Sequence, residues 1–115
     1  MEKSYKNSFL ISELSKIEQD FNLAKYHVIP IPLEKTVSFG KGTSKGPNAI
    51  LKASNELERS YGKYEPCLKG IHTHAPINCR GNMVKTLKEI QNVVNKICKN
   101  KKIPVAIGGE HTLTY

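Results

Sequence analysis

The spacing of apolar residues along the 115-residue chain predicts that helices and strands alternate. Apolar residues recur at helical spacing in three stretches, and three shorter stretches are nearly continuous apolar runs or alternate between two faces. The predicted helices cover residues 8–20, 47–60 and a long stretch from Asn82 to about Asn100, and the predicted strands cover residues 28–33, 70–77 and 103–107.

Asparagine and proline residues near the ends of these stretches bear on where the predicted elements begin and end. Asn82 precedes the long apolar periodicity, where its side chain is expected to cap the helix. Pro47 follows Gly46 as a favourable first helical residue. Pro30 and Pro32 cannot donate to a strand ladder, so the far end of the first strand is the least secure part of the pattern.

The predicted order of elements indicates an α/β fold with a mainly parallel sheet. The last strand, residues 103–107, is almost entirely apolar, as expected for a parallel sheet covered on both faces. Such sheets bind ligands beyond the carboxyl ends of their strands. Two candidate segments fall at such ends, namely the glycine-rich loop after Leu33 and the Gly-Gly-Glu-His segment that ends at His111.

Composition and charge argue against several classes of function. The net charge is +8, but the basic residues are mostly lysines spread along the chain, which favours a solvated surface over a nucleic-acid site. No run of 18 apolar residues suggests a membrane span, and no apolar segment after Met1 suggests a secretory signal. Three cysteines without a CxxC pair favour a reducing, cytoplasmic compartment.

Two candidate sites are weak. The loop from Phe39 to Gly46 matches neither the P-loop nor the G-x-G-x-x-G pattern, so we interpret it as a mobile loop at the mouth of a pocket. A second group has zinc-binding residue types, but their spacing matches no common zinc module and favours ordinary strand and loop residues. It consists of Cys67, His72, His74 and Cys79, and His27 is predicted to be structural.

The Gly108-Gly109-Glu110-His111 segment is the strongest candidate. Two glycines permit a tight exit from the strand and a close backbone approach to a ligand. His111 would then present an imidazole nitrogen to a metal ion in the crevice. The alternative is a strand-to-helix turn in which Glu110 lies near the next helix and the histidine is merely hydrogen-bonded. The spacing alone does not separate the two.

Three motifs, taken together and in order, resemble the ureohydrolase (arginase/agmatinase) family, most closely its agmatinase branch. The resemblance covers residues from about 26 to 115. It is carried by Val28-Ile-Pro-Ile-Pro, by Thr36-Val-Ser-Phe-Gly-Lys-Gly-Thr-Ser-Lys-Gly-Pro-Asn-Ala-Ile and by Ile103-Pro-Val-Ala-Ile-Gly-Gly-Glu-His-Thr.

The resemblance implies a three-layer α/β fold of the arginase/deacetylase type and a pair of Mn²⁺ ions at the carboxyl edge of the sheet. It assigns one metal-ligand role to His111. The other family ligands lie in an Asp-x-His-x-Asp motif and an Asp-x-Asp motif, which this chain does not contain. The metal pair lowers the pKa of a bridging water and directs hydroxide at the guanidinium carbon.

These considerations lead to one leading hypothesis and three alternatives. Residues 1–115 are interpreted as the N-terminal part of a single ureohydrolase domain, whose fold is incomplete in this chain. The family reaction converts a small guanidino substrate such as agmatine to putrescine and urea, and the full-length protein is expected to be a cytoplasmic homo-oligomer. The isolated chain is expected to be inactive. The alternatives are a non-catalytic partner module of the same fold, a small zinc-binding protein and a small nucleic-acid-binding protein.

Overall fold

The computed structural model describes residues 5–35 and 42–110. These residues form a three-stranded parallel sheet with two α-helices. The strands are β1 (Tyr26–Ile31), β2 (Ile71–Thr73) and β3 (Ile103–Gly108), and the helices are α1 (Gly46–Ala53) and α2 (Met83–Lys99). The strand order is β2-β1-β3, so β1 is the central strand of the described sheet. The predicted α/β fold with a parallel sheet is confirmed.

The core lies between β1 and α2. Side chains of alternate strand residues point to the same face, and Ile29 and Ile31 of β1 pack with Ile90 and Ile97 of α2. Val28 and Pro30 of β1 point the other way and are also buried. The central strand is therefore covered on both faces, as its nearly continuous apolar sequence indicates.

The helix α2 begins where the sequence predicts. The Asn82 side chain accepts a hydrogen bond of 2.8 Å from the Lys85 amide, so the predicted N-cap is confirmed. Ile90 and Ile97 are buried, and Leu87 and Val94 pack at the margin of the core. Val84, which belongs to the predicted apolar face and lies in the first turn of the helix, is instead 76% exposed.

The helix predicted over residues 8–20 is wrong. Leu10 has a φ of +52°, which a right-handed helix does not allow. Its amide donates to the Ser54 hydroxyl oxygen, and the neighbouring Phe9 amide donates to the Thr73 hydroxyl oxygen, so both amides are bonded outside the segment. The segment forms successive turns because tertiary partners replace helical ones.

Three other boundaries differ from the prediction. Helix α1 ends at Ala53 rather than residue 60, because the Ser54 hydroxyl donates to the Leu51 carbonyl and a 3₁₀ turn follows (Ser54–Glu56). Strand β2 ends at Thr73, and Pro76 in the predicted stretch 70–77 has no amide to donate. The first strand runs from Tyr26 to Ile31 rather than over residues 28–33, and Pro32, which has no amide to donate, follows its last residue.

Strand β3 forms one edge of the described sheet rather than lying inside it. Its residues pair with β1 over the whole strand, from Tyr26 opposite Ile103 to Ile31 opposite Gly108. The residues Ile103 and Val105 are 41% and 40% exposed to solvent. The prediction that β3 is covered on both faces is therefore wrong for the described residues: α1 and α2 contact the strand, but no further described strand pairs with its outer edge.

The cap of α2 gives a direct test of the fold. Replacing Asn82 with Ala leaves the Lys85 amide without its acceptor and should lower the free energy of unfolding by about 1 kcal/mol. Asn82→Asp should retain most of this stability, and Asn92→Ala, in the exposed middle of α2, should cost nothing. Urea denaturation measures the free energy of unfolding of all three variants. Equal costs for the Asn82→Ala and Asn92→Ala variants would contradict the cap.

Candidate functional site

The candidate site is the carboxyl edge of the sheet, where β1 and β3 end side by side. The register places Ile31 opposite Gly108 at the ends of the two strands. The Glu110 amide then donates to the Leu33 carbonyl over 3.0 Å, which continues the pairing beyond the strands. The segments that leave β1 and β3 are therefore in direct contact at the edge where parallel sheets bind ligands.

Glu110 fixes this contact with its side chain. The residue is 8% exposed, and its carboxylate oxygen Oε2 accepts a hydrogen bond of 2.7 Å from the Lys35 amide. A bond from a backbone amide to a carboxylate is shorter and stronger than one between neutral groups. Glu110 thus joins the exit of β3 to the exit of β1.

Gly109 allows the two exits to approach each other. Its φ of +70° lies in the left-handed region, and a Cβ atom there would overlap the Ile31 carbonyl oxygen and lie 3.1 Å from the Leu33 amide nitrogen. The sequence predicted that the glycine pair permits a tight exit from the strand and a close backbone approach to a ligand. The structure shows a tight exit at Gly109, where the closely approaching group is the backbone at the end of β1, and the approach to a ligand stays a prediction.

Glu34 ties the glycine-rich loop to the same edge. Its oxygen Oε1 accepts hydrogen bonds from the Gly42 amide at 2.6 Å and from the Ser44 amide at 3.2 Å. A cleft of about 520 Å³ lies beside these residues. Its lining comprises Pro32, Ser44, Ile77, Asn78, Cys79 and Arg80. The far end of the loop therefore borders a cleft, as predicted, whereas residues 39–41 of the loop lie outside the described residues and its mobility stays a prediction.

His111 and residues 112–115 also lie outside the described residues. The assignment of His111 as a metal ligand therefore stays a prediction. The structure describes its neighbour in the sequence, Glu110, which is anchored at the carboxyl edge. Within residues 5–35 and 42–110, no group of three or more histidine, cysteine, aspartate or glutamate side chains is arranged to hold a metal ion.

The two cysteines of the candidate zinc site lie in different parts of the described structure. Cys67 packs with Leu10 and Leu14 in a small separate core, whereas Cys79 packs against the main core next to α2. Burial raises the pKa of both thiols, which disfavours the thiolate that zinc requires. The structure therefore does not bring Cys67, His72, His74 and Cys79 together as one site.

Sequence analysis missed a cluster of three histidines, which we call the histidine cluster. His27 of β1, His72 of β2 and His74 have ring centroids 4.8–5.1 Å apart, and the Phe21 ring lies edge-on to all three. His27 was predicted to be structural and is fully buried. The β1–β2 register places His27 opposite His72, so the missing information was the pairing of two strands distant in sequence.

Replacement of Gly109 tests the geometry of the edge. Gly109→Ala should lower the free energy of unfolding by about 3 kcal/mol, because it adds a backbone overlap to the cost of a positive φ. Gly62→Ala is the matched control: its φ is +59°, but open space surrounds the added Cβ, so about 1 kcal/mol is expected. Chemical denaturation compares the two variants. Similar losses of free energy of unfolding in the two variants would show that the close approach of Gly109 to Ile31 is absent.

Comparisons with known proteins agree with this architecture. The family model described as "Arginase family" matches residues 24–115. An N(1)-aminopropylagmatine ureohydrolase of Synechocystis is 38% identical over 98 residues, covering 76% of this chain and 31% of that protein. An agmatinase of Halalkalibacterium halodurans is 28% identical over 121 residues, covering 99% of this chain and 39% of that protein.

A solved structure shows the same fold. The agmatine ureohydrolase of Thermoplasma volcanium superimposes with a TM-score of 0.78 at 26% sequence identity, covering 91% of this chain and 38% of that one. The chain therefore spans between 31% and 39% of the length of these relatives. Because the family model matches most of the sequence and the parallel sheet agrees with the solved relative, the chain belongs to the arginase family.

Proposed function

We propose that the chain is the N-terminal part of an agmatinase-type ureohydrolase. The reaction is hydrolysis of the guanidino group of a small substrate such as agmatine, which yields urea and an amine. The observation that carries the proposal is the family match over residues 24–115, which includes the Gly-Gly-Glu-His motif that begins at the carboxyl end of β3. The names of the relatives, agmatinase and N(1)-aminopropylagmatine ureohydrolase, favour a substrate that combines a guanidinium group with an alkyl chain.

In this proposal, His111 supplies one ligand to a pair of Mn²⁺ ions. Glu110, the preceding residue, is held by Lys35 and Leu33 at the edge where such sheets bind ligands. Manganese favours carboxylate and imidazole ligands, yet the sequence contains a single aspartate, Asp20, on a turn distant in sequence from the motif. The described residues do not hold the metal pair, so we assign no catalytic step to this chain alone.

The remaining ligands would come from polypeptide that pairs with β3. The exposed Ile103 and Val105 lie on the strand next to the motif, and an open strand edge of this kind is a template for another strand. The relatives contain more than twice as much sequence as this chain covers, which is enough to supply that strand and the missing carboxylates. The same edge also favours a second candidate, a non-catalytic module that binds a further chain.

The proposal places the protein in the cytoplasm as part of a homo-oligomer. All three cysteines are free, in keeping with a reducing compartment. No helix in the described part of the chain combines the length and the apolar character needed to cross a bilayer. The lysines are spread along the sequence and not concentrated in one segment, so the proposal includes no nucleic-acid partner.

A complementation assay tests the activity. The chain with Mn²⁺ and agmatine should release no urea above the blank, because most metal ligands are absent. Addition of the part of the Thermoplasma volcanium agmatine ureohydrolase that this chain does not cover should give an assembly that co-elutes on gel filtration and releases urea. Arginine and guanidinobutyrate, used in parallel, identify the preferred guanidino compound.

Two variants make the assay specific. His111→Ala should abolish urea release by the assembly, whereas Asn92→Ala, on the exposed face of α2, should leave it unchanged. Urea release by the isolated chain would refute the requirement for further ligands. A complex that co-elutes without releasing urea would refute the hydrolase proposal for this chain and support the binding module.

A further inference from the structure

We propose that the histidine cluster is an acid-sensitive latch that holds the turn of residues 19–24 against β1 and β2 at neutral pH and releases it when the cluster is protonated. The cluster lies on the α2 side of the sheet, near the amino ends of the strands. His27 is opposite Pro104, four residues before the Ile31–Gly108 pair at the carboxyl edge. It is therefore separated from the candidate site by about 13 Å of strand.

The turn is attached to the sheet through the cluster. His72 Nδ1 donates to the Gln19 carbonyl oxygen over 2.8 Å, and the Phe21 ring lies 4.9 Å from the His27 ring and 5.2 Å from the His72 ring. A second attachment lies at the start of the turn, where the Glu18 carboxylate pairs with Arg59 at 2.5 Å. Arg59 holds the pKa of Glu18 at about 2, so this ion pair persists in mild acid.

The bond between His27 and His74 makes the cluster sensitive to protons. His27 Nδ1 and His74 Nε2 are 2.9 Å apart, so one of the two nitrogens donates and the other accepts. One added proton keeps this bond, since an imidazolium donates to a neutral imidazole. A second added proton makes both nitrogens donors and breaks the bond.

Burial makes protonation costly in the folded chain. His27 is fully buried, and its second ring nitrogen, Nε2, has no hydrogen-bond partner. Burial, followed by the charge of His72, lowers the pKa of His27 to about 4, while the backbone of Phe21 and Ala24 acts in the opposite direction and Lys102 contributes slightly to the lowering. His74 is only half-buried and lines a cavity of about 360 Å³ with His72 and Glu89, which gives water a route to the cluster.

The charges around the cluster are mostly positive. Lys96 of α2 lies 5.0 Å from the centre of the Phe21 ring. Asp20, on the turn itself, accepts hydrogen bonds from the Asn22 and Leu23 amides rather than from an imidazole. Charged residues on the segments packed against the cluster include Lys25 before β1, Lys96 and Glu89 of α2, Lys102 before β3 and Asp20.

The direction of the pH effect follows from the lowered pKa. We call the turn closed when it packs on the sheet and open when it is released. A histidine that is neutral in the closed state and titrates normally in the open state stabilises the closed state above pH 6.5. That stabilisation is lost as the pH falls from 6.5 towards 4. Between pH 7 and pH 5, the equilibrium constant for opening of the turn should rise roughly twentyfold.

Amide hydrogen exchange of the full chain tests the latch. After correction for the intrinsic pH dependence, exchange at residues 19–24 and at Ile71, whose amide donates to the Glu18 carbonyl, should be roughly twentyfold faster at pH 5 than at pH 7. The amide of Ile97 in α2 should show no such change. A uniform loss of protection, or none at residues 19–24, would overturn the proposal.

Two variants and a titration complete the test. His27→Asn retains a polar group near the Nδ1 position but cannot titrate, so it should abolish most of the pH response. His111→Asn removes the one histidine outside the cluster and should retain the response. An unchanged response in His27→Asn overturns the latch. If that variant does not fold, NMR titration of the wild-type imidazoles decides the question: opening of the turn without a change in the His27 ring signals overturns it as well.

Discussion

The parallel pairing of β1 with β3 is the constraint on which the rest of the structure depends. It brings together two segments that are more than 70 residues apart in sequence, and it ends with Ile31 opposite Gly108. The Glu110 carboxylate and the Lys35 amide then join the two exits beyond the strands. Every proposal about chemistry at this edge rests on that register, because a shift of one residue would reverse the faces of β3 and separate Glu110 from Lys35.

Local sequence patterns predicted the elements whose determinants are local. The N-cap of α2 depends on Asn82 and the amide three residues later, and the end of β1 depends on Pro32. For residues 8–20, the same reasoning gave a wrong prediction. Its apolar spacing is helical, but only Leu10 and Leu14 are buried, and Ile17 is 71% exposed. Tertiary hydrogen bonds that its amides donate to the Ser54 and Thr73 hydroxyl oxygens decide its conformation, and no local pattern contains them.

The candidate site was predictable in part. The glycine pair indicated a tight strand exit, and Gly109 has the positive φ and the close backbone contact that only glycine permits. The role of Glu110 could not be derived, because its carboxylate accepts from the Lys35 amide, which is 75 residues away in sequence. Glu34 accepts from amides of the adjoining loop, and no sequence pattern indicated how that loop folds back onto it. The histidine cluster was missed for a similar reason. His27 meets His72 only through the β1–β2 register, and alignment of the two strands would have shown it.

The central claim is that the carboxyl edge of β1 and β3 contributes His111 to a manganese site. Pulsed electron paramagnetic resonance of Mn²⁺ in the complemented assembly tests it most directly, with only this chain labelled with ¹⁵N-histidine. The account predicts a ¹⁵N coupling from a directly bound imidazole that disappears in His111→Asn. Manganese bound in an active assembly without any ¹⁵N coupling, or with a coupling that survives in that variant, would contradict it.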